Sequence, residues 1–205
     1  MSWNTHVDTL CKKISQRLGI FRRIRHYLTF KARLAFCQCL ILSLIDYCCV
    51  VWGNTSQQNL ERIHRLQTTR LLLNKDYKAP SLPLFLQLGW LPIHERIKFL
   101  RAVTVFKALN NLTSNYITNL IKPFNTVYKR NTRGAGQNIL KVPLQLVTAK
   151  AGMRTFAFIG AKEWNGLGKD IRNATSLLSF KNIYLKAKFD DLKKFDELKN
   201  NVQCF

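Results

Sequence analysis

The stretch Lys31–Gly53, KARLAFCQCLILSLIDYCCVVWG, constrains the fold of this 205-residue chain more than any other. It is the longest apolar run, and between Leu34 and Trp52 only Gln38, Ser43 and Asp46 interrupt it. Apolar residues fall on every side of its helical projection, so a helix here must be surrounded by other segments. Residues 34–52 just reach the length that crosses a bilayer, about 20 residues. Asp46 and Gln38 would be costly in lipid, and amphipathic stretches elsewhere can cover the run. The expectation is a central helix inside a helical bundle, with no membrane partner. Asp46-Tyr47-Cys48-Cys49-Val50-Val51-Trp52-Gly53 then marks the corner where that helix ends.

The covering segments are legible from their periodicity. Residues 3–28 carry Val7, Leu10, Cys11, Ile14, Leu18, Phe21 and Leu28 at helical spacing. Gly19 is a point where that helix can bend. If it runs straight, Arg25 falls in the apolar stripe and needs a partner, for which Asp46 is the nearest candidate. Thr29 is placed to cap the apolar run, and Thr55 or Ser56 to cap a third helix through about Leu73. Pro80-Ser81 opens a short helix that stops at Gly89, and Trp90-Leu91-Pro92 starts another with Ile97, Leu100, Val103, Val105, Phe106 and Leu109 inward. Asn110-Asn111 reads as a lobe boundary. Beyond it come a short helix at 114–121, a basic loop at 122–136, a short extended piece around Ile139–Leu144 and a helix at 150–167. Ser176 or Ser179 caps a last helix, about 177–189, before a charged, frayed tail. The fold class is mainly α: a helical bundle over 1–110, then a looser α-rich lobe over 111–205 with little or no strand.

Charge decides the partner class. There are 33 Lys and Arg against 11 Asp and Glu, a formal charge of +22. Such a chain repels itself unless a polyanion neutralises it. The cations are spread along amphipathic helices, with Lys12, Lys13, Arg17, Arg22 and Arg23 in one cluster and Arg62, Arg65 and Arg70 in another. These eight are the candidate nucleic-acid-binding residues, suited to phosphates and hence to a duplex held without reading its bases. No helix-turn-helix, finger or single-strand stacking pattern supports sequence-specific readout.

Catalytic chemistry finds no foothold. The acidic doublets Asp190-Asp191 and Asp196-Glu197 lie in a Lys-rich tail and read as a solvated helix face, and Asp46 stands alone. His6, His26, His64 and His94 are scattered, with no Gly-x-Ser-x-Gly elbow and no phosphate-binding glycine loop. The six cysteines show no Cys-x-x-Cys spacing. They read as reduced core thiols of an intracellular protein, nuclear or cytoplasmic. No catalytic residue, metal ligand or cofactor is expected.

An ordered set of short strings carries a resemblance. It runs Trp3-x-x-His6, Lys12-Lys13, Leu18-Gly19-x-Phe21-Arg22-Arg23, Leu44-Ile45-Asp46-Tyr47-Cys48 and Val51-Trp52-Gly53. It continues with Leu60, Arg65-Leu66-Gln67, Arg70, Leu88-Gly89-Trp90-Leu91-Pro92, Asn131-Thr132-Arg133, Gly160-Ala161-Lys162-x-Trp164-Asn165 and Ile171-Arg172. Over Trp3 to about Lys188 the chain resembles the C-terminal part of reverse transcriptases of jockey-like non-LTR retrotransposons. The resemblance implies a thumb, which grips template–primer duplex, over about 1–110, and the C-terminal extension of such enzymes beyond it. The family's catalytic aromatic-Ala-Asp-Asp hairpin lies upstream of the matched part and is absent, so Asp46 inherits no metal role. A longer reading frame would place the palm and fingers before Met1. One departure is Gly168, where the family pattern has Pro after Trp-Asn-x-Leu, which bears on the local turn.

The expected function is therefore that of a transposable-element fragment of an RNA-directed DNA polymerase, not itself an enzyme, binding RNA–DNA or DNA duplex non-specifically. Two alternatives stand beside it: a retroelement remnant with no retained function, and a repurposed protein-interaction module. The oligomeric state is left open.

Overall fold

In a computed structural model the structure describes residues 3–66, 69–76, 78–124, 138–143, 152 and 155–202, with side chains through residue 198. Most of the expected basic loop 122–136, with Asn131-Thr132-Arg133, and also Cys204, lie outside the described residues. The described chain is mainly helical and forms no strand. Two compact units divide it: residues up to Ile97 together with those from Asp191, and residues Lys98–Asp190. The division falls inside a helix at 97/98, and Asn110-Asn111 is a turn within the second unit, with Asn111 at φ 55°.

In the first unit α1, Asn4–Ile24, buries Val7, Leu10, Ile14, Leu18 and Phe21, the stripe its periodicity predicts. It runs through Gly19 without a break and tightens into a 3₁₀ turn at Arg25–Tyr27. Leu28 is extended, which frees Thr29 to cap α2, Phe30–Cys37, by accepting from the Ala32 N–H at 3.3 Å. The tightened turn takes Arg25 out of α1, and its Nη1 donates to Leu71 O at 3.3 Å. The expected Arg25–Asp46 pair is thereby corrected: Asp46 accepts both arms of Arg96, at 2.5 and 2.6 Å.

The apolar run is not one helix. After α2 comes a π-helical segment, Gln38–Leu42, then α3, Ser43–Asp46, and α4, Cys49–Trp52. A π turn inserts one residue per turn and rotates the face that follows. Between α3 and α4, Cys48 sits in the left-handed region at φ 49°, a conformation that costs a β-carbon-bearing residue about 1–2 kcal/mol. The corner is held from both sides. The Trp52 indole N–H donates to Tyr47 O at 2.8 Å, and Trp52 is 1% exposed. A β-carbon on Gly53 would lie 2.3 Å from Cys49 O and 2.7 Å from Ile97 Cγ2, so only glycine fits. The run is also not covered on all sides. Cys37, Ile41, Leu42, Ile45, Cys49 and Trp52 are buried, while Leu40, Tyr47 and Val51 face outward. Cys39 and Cys48 are exposed as well, correcting the reading of all the cysteines as core thiols. Cys39 lies two residues from buried Cys37, on the other side of the helix.

Ser56 caps α5, Gln57–Arg65, which packs on α1 through Leu60, Ile63 and Asn59. Asn59 is buried but satisfied, its amide reaching Asn4 Oδ1 at 2.9 Å and Thr55 Oγ1 at 2.8 Å. The third helix does not run unbroken to Leu73. α5 ends at Arg65, and a separate turn, α6, Thr69–Leu72, packs on α2 and on α7, Ser81–Leu88. Gly89 closes α7 at φ 63°, with its N–H on Leu86 O and the Trp90 N–H on Phe85 O. That paired cap is the Schellman arrangement and needs glycine there. Pro92 then leads into α8, Ile93–Leu109, whose residues through Ile97 belong to this unit.

The second unit has a packed aromatic core of its own. The remainder of α8 contributes Ala102, Val103, Val105, Phe106 and Ala108. α9, Asn115–Leu120, leads to buried Ile121 and to a single antiparallel bridge between Pro123 and Leu140. α10, Phe156–Asn165, capped by Thr155, brings Ala161 and Trp164. Phe180 stacks on Phe106 at 4.7 Å and on Trp164 at 5.7 Å, and Tyr184 meets Phe99 at 5.3 Å. α11, Lys169–Arg172, starts at Gly168, which takes φ −59° and ψ 153°. Proline adopts that φ without strain. α12 begins beyond Ser176 and continues over Leu177–Val202, well past the expected end near 189. Its second half holds no Gly or Pro and is rich in Lys, Leu, Asp and Glu, so nothing in the charged tail stops the helix.

Candidate nucleic-acid interface

Helix α1 presents the first basic cluster. At about 100° per residue, Lys12, Gln16 and Arg23 project directly away from the buried stripe, with Lys13 on one flank and Arg22 on the other. All five are exposed. Lys12 to Arg23 spans about 16 Å along the axis, at about 1.5 Å per residue. Among the described residues, no carboxylate is paired with Lys12, Lys13, Arg22 or Arg23.

The other four candidates divide. Arg17, half-buried, donates to Leu40 O and so ties α1 to the π-helical segment. Arg62 is paired with Asp8 at 2.7 Å and also touches Asn59 Oδ1 at 3.5 Å. The Asp8 hydrogen bond raises its basicity above the ordinary guanidinium value. Beside this pair the Cys11 thiol is pushed up, first by burial, with Arg62 opposing and Asp8 reinforcing. Arg70 donates its Nε–H to Ala79 O at 2.9 Å, closing the loop before α7. Arg65 is exposed on α5. The two clusters meet where α5 packs on α1, through Asp8 and Arg62. The outward-facing cations are Lys12, Lys13, Arg22, Arg23 and Arg65, while Arg17 and Arg70 hold the fold.

Acids are scarce here. Through Ile97 the sequence holds five, Asp8, Asp46, Glu61, Asp76 and Glu95, against fourteen Lys and Arg. Asp46 is fully used by Arg96. Burial works against that guanidinium, and the Asp46 hydrogen bonds and charge outweigh it, holding Arg96 above its usual value. Asp8 is used by Arg62, and Glu61 accepts from Gln57 at 3.3 Å. Neither a protein-family profile, nor a curated protein, nor a solved structure matches this chain.

Sequence reasoning passed over Lys31, exposed in the first turn of α2, and Arg33, whose guanidinium lies 5.9 Å over the Phe30 ring. Both sit at the edge of the apolar run, whose hydrophobicity masked them. Three histidines pack, His6 against Trp3 and Trp52 and His64 against Phe85 and His94, while His26 is exposed. Among the described residues no group of three or more His, Cys, Asp or Glu could hold a metal ion, and no helix is long and apolar enough to cross a membrane. Among the described residues the arrangement leaves Lys12, Lys13, Arg22, Arg23 and Arg65 exposed.

Proposed function

We propose that this chain is a nucleic-acid-binding, thumb-type piece of a non-LTR retrotransposon reverse transcriptase, without a polymerase site of its own. It holds RNA–DNA or DNA template–primer duplex through the backbone phosphates and has no sequence preference. The observation that supports this is the outward face of α1, where Lys12, Lys13, Arg22 and Arg23 stand exposed over about three turns, with no paired carboxylate among the described residues. Binding carried by such contacts releases counterions, and the logarithm of affinity falls by about 0.9 per phosphate contact for each logarithm of salt. Filter binding of labelled heteroduplex across a salt series tests it. Replacing the four residues with Gln lowers affinity equally for unrelated sequences and flattens the salt slope by about 3 to 4 units. Binding that ignores salt, or that survives the fourfold change, overturns the proposal.

A second reading, a protein-contact module, is favoured by one observation. Tyr27, Phe30, Leu40, Tyr47 and Val51 of the first unit are large, apolar and exposed, and apolar side chains of this kind mark a contact site where they join into one patch. It requires a partner complex that persists at high salt, where the phosphate-binding reading requires release.

A further inference from the structure

The corner between α1 and α2 holds two aromatic rings out to solvent among cations. Tyr27 is 89% exposed and Phe30 is 47% exposed. Arg22, Arg23, His26 and Lys31, their neighbours in the chain, are exposed as well. The corner is a fixed mount. Its 3₁₀ turn, Arg25–Tyr27, is closed by the Leu28 N–H on Arg25 O at 3.4 Å, and the Arg25 guanidinium ties the turn to Leu71 O at 3.3 Å. Leu28, extended and half-buried, then leads into the Thr29 cap of α2. The rings stand three residues apart, so at most about 11 Å lies between their α-carbons.

Two observations set this corner apart from the other exposed apolar side chains. The first is charge. Between Asp8 and Asp46 the sequence holds eight Lys and Arg and no Asp or Glu, and those two acids are taken by Arg62 and Arg96. The second is that one ring already carries a guanidinium, with Arg33 5.9 Å over Phe30. Aromatic rings on which bases stack, cations that follow the phosphates and a contribution from arginine on the ring together make a single-strand-binding surface. Inside a duplex each base is covered above and below by its neighbours, so a protein ring of this kind reaches only an unpaired base. A protein partner would find the same rings, but the acid-free surroundings suit a polyanion.

We propose that unpaired bases of a nucleic-acid strand stack on Tyr27 and Phe30, with Arg22, Arg23 and Lys31 on the phosphates between them. The inference rests on the duplex reading of α1 and extends it. The outward face of α1 takes the paired part, and the corner at its C-terminal end takes a single strand that continues from it. Stacking accepts any base, because every base has a π-face, so the site adds affinity without reading sequence.

Fluorescence anisotropy of the full chain with three labelled heteroduplexes tests this. One is blunt, one carries a single-stranded extension of about four nucleotides, the short end of single-strand site sizes, and one carries the same extension made abasic. The abasic extension keeps the phosphates and removes the rings. The intact extension binds at least about fivefold more tightly than the abasic one, the low end for one stacked base. Tyr27→Ala and Phe30→Ala each reduce that ratio, and the double variant abolishes it, while affinity for the blunt duplex stays the same. Tyr27→Phe keeps the ratio because it keeps the ring, and Tyr27→Leu loses it. Equal affinity for the intact and abasic extensions overturns the proposal and leaves the duplex reading standing on the blunt probe. A ratio that survives the double variant also overturns it, as does Tyr27→Leu behaving like Tyr27→Phe, which marks a merely apolar contact of the kind a protein makes. Failure of all three probes to bind overturns this proposal and the duplex reading together.

Discussion

Each of the two units is organised around a buried tryptophan that donates its ring N–H to a backbone carbonyl at 2.8 Å, and the contrast lies in where that carbonyl comes from. Trp52 reaches Tyr47, five residues back, and closes a corner written as one continuous string. Trp164 reaches Asn138, 26 residues back, and clamps a segment that has no helix or sheet of its own. Each unit also pairs an arginine of α8 with a carboxylate: Arg96 with Asp46 in the first, Arg101 with Glu163 at 2.5 Å in the second. The first pair is bidentate and partly wet, its side chains 24% and 31% exposed; in the second the arginine is 4% exposed. The same two devices can therefore serve a local turn or a long-range closure, and burial decides what each is worth.

The tryptophans give the largest effects. Trp164→Ala and Trp52→Ala each cost about 3–5 kcal/mol, the range for emptying a large aromatic site. Native-state hydrogen exchange distinguishes them: Trp164→Ala exposes the amides of α10 and α12 up to Asp190, and Trp52→Ala those of α1 and α5. Equal loss of protection throughout the chain in both variants would break the division into two units.

The ion pairs come next. Glu163→Gln removes the negative charge facing a nearly buried guanidinium and costs about 3 kcal/mol, as for a broken buried pair. Asp46→Asn leaves Arg96 within reach of water and costs about 1–2 kcal/mol. Urea midpoints of the two variants measure the difference, and a reversed order would mean that the bidentate geometry outweighs burial.

The glycines give opposite signs and, at Gly168, the smallest effect. Gly53→Ala forces a β-carbon into Cys49 O and costs about 1–3 kcal/mol, the price of overpacking. At Gly168 a β-carbon meets nothing within 4 Å and φ already suits proline. Gly168→Pro therefore stabilises by about 0.4–1 kcal/mol through the unfolded chain. Thermal melts of both check the pair, and a destabilised Gly168→Pro would show that its N–H or its preceding residue is constrained.

Much of the helix framework was legible because its signals are local. The Val7, Leu10, Ile14, Leu18, Phe21 stripe, the caps at Thr29, Ser56 and Ser176, and the stop at Gly89 each depend on residues within two turns of one another. The basic face of α1 was legible for the same reason, since Lys12 and Arg23 project outward once the stripe is known. Arg17 and Arg70 were not separable from the other candidates, because the carbonyls of Leu40 and Ala79 that hold them are a matter of packing. The end of α12 expected near 189 rests on charge alone, and charge without Gly or Pro does not end a helix.

What the amino-acid order determined by itself is the class of the fold, amphipathic helices around an apolar run, together with a large excess of cations. These follow from periodicity and composition, which no rearrangement of the helices changes. Only the tertiary structure decided where the apolar run breaks, at a π turn and at left-handed Cys48. Only it gave Asp46 to Arg96 rather than Arg25, and Asn138 O to the Trp164 indole. Those outcomes depend on which groups burial brings within about 3 Å of one another across 20 or more residues, and a hydrogen bond weakens too steeply with distance and angle for spacing along the chain to foretell it.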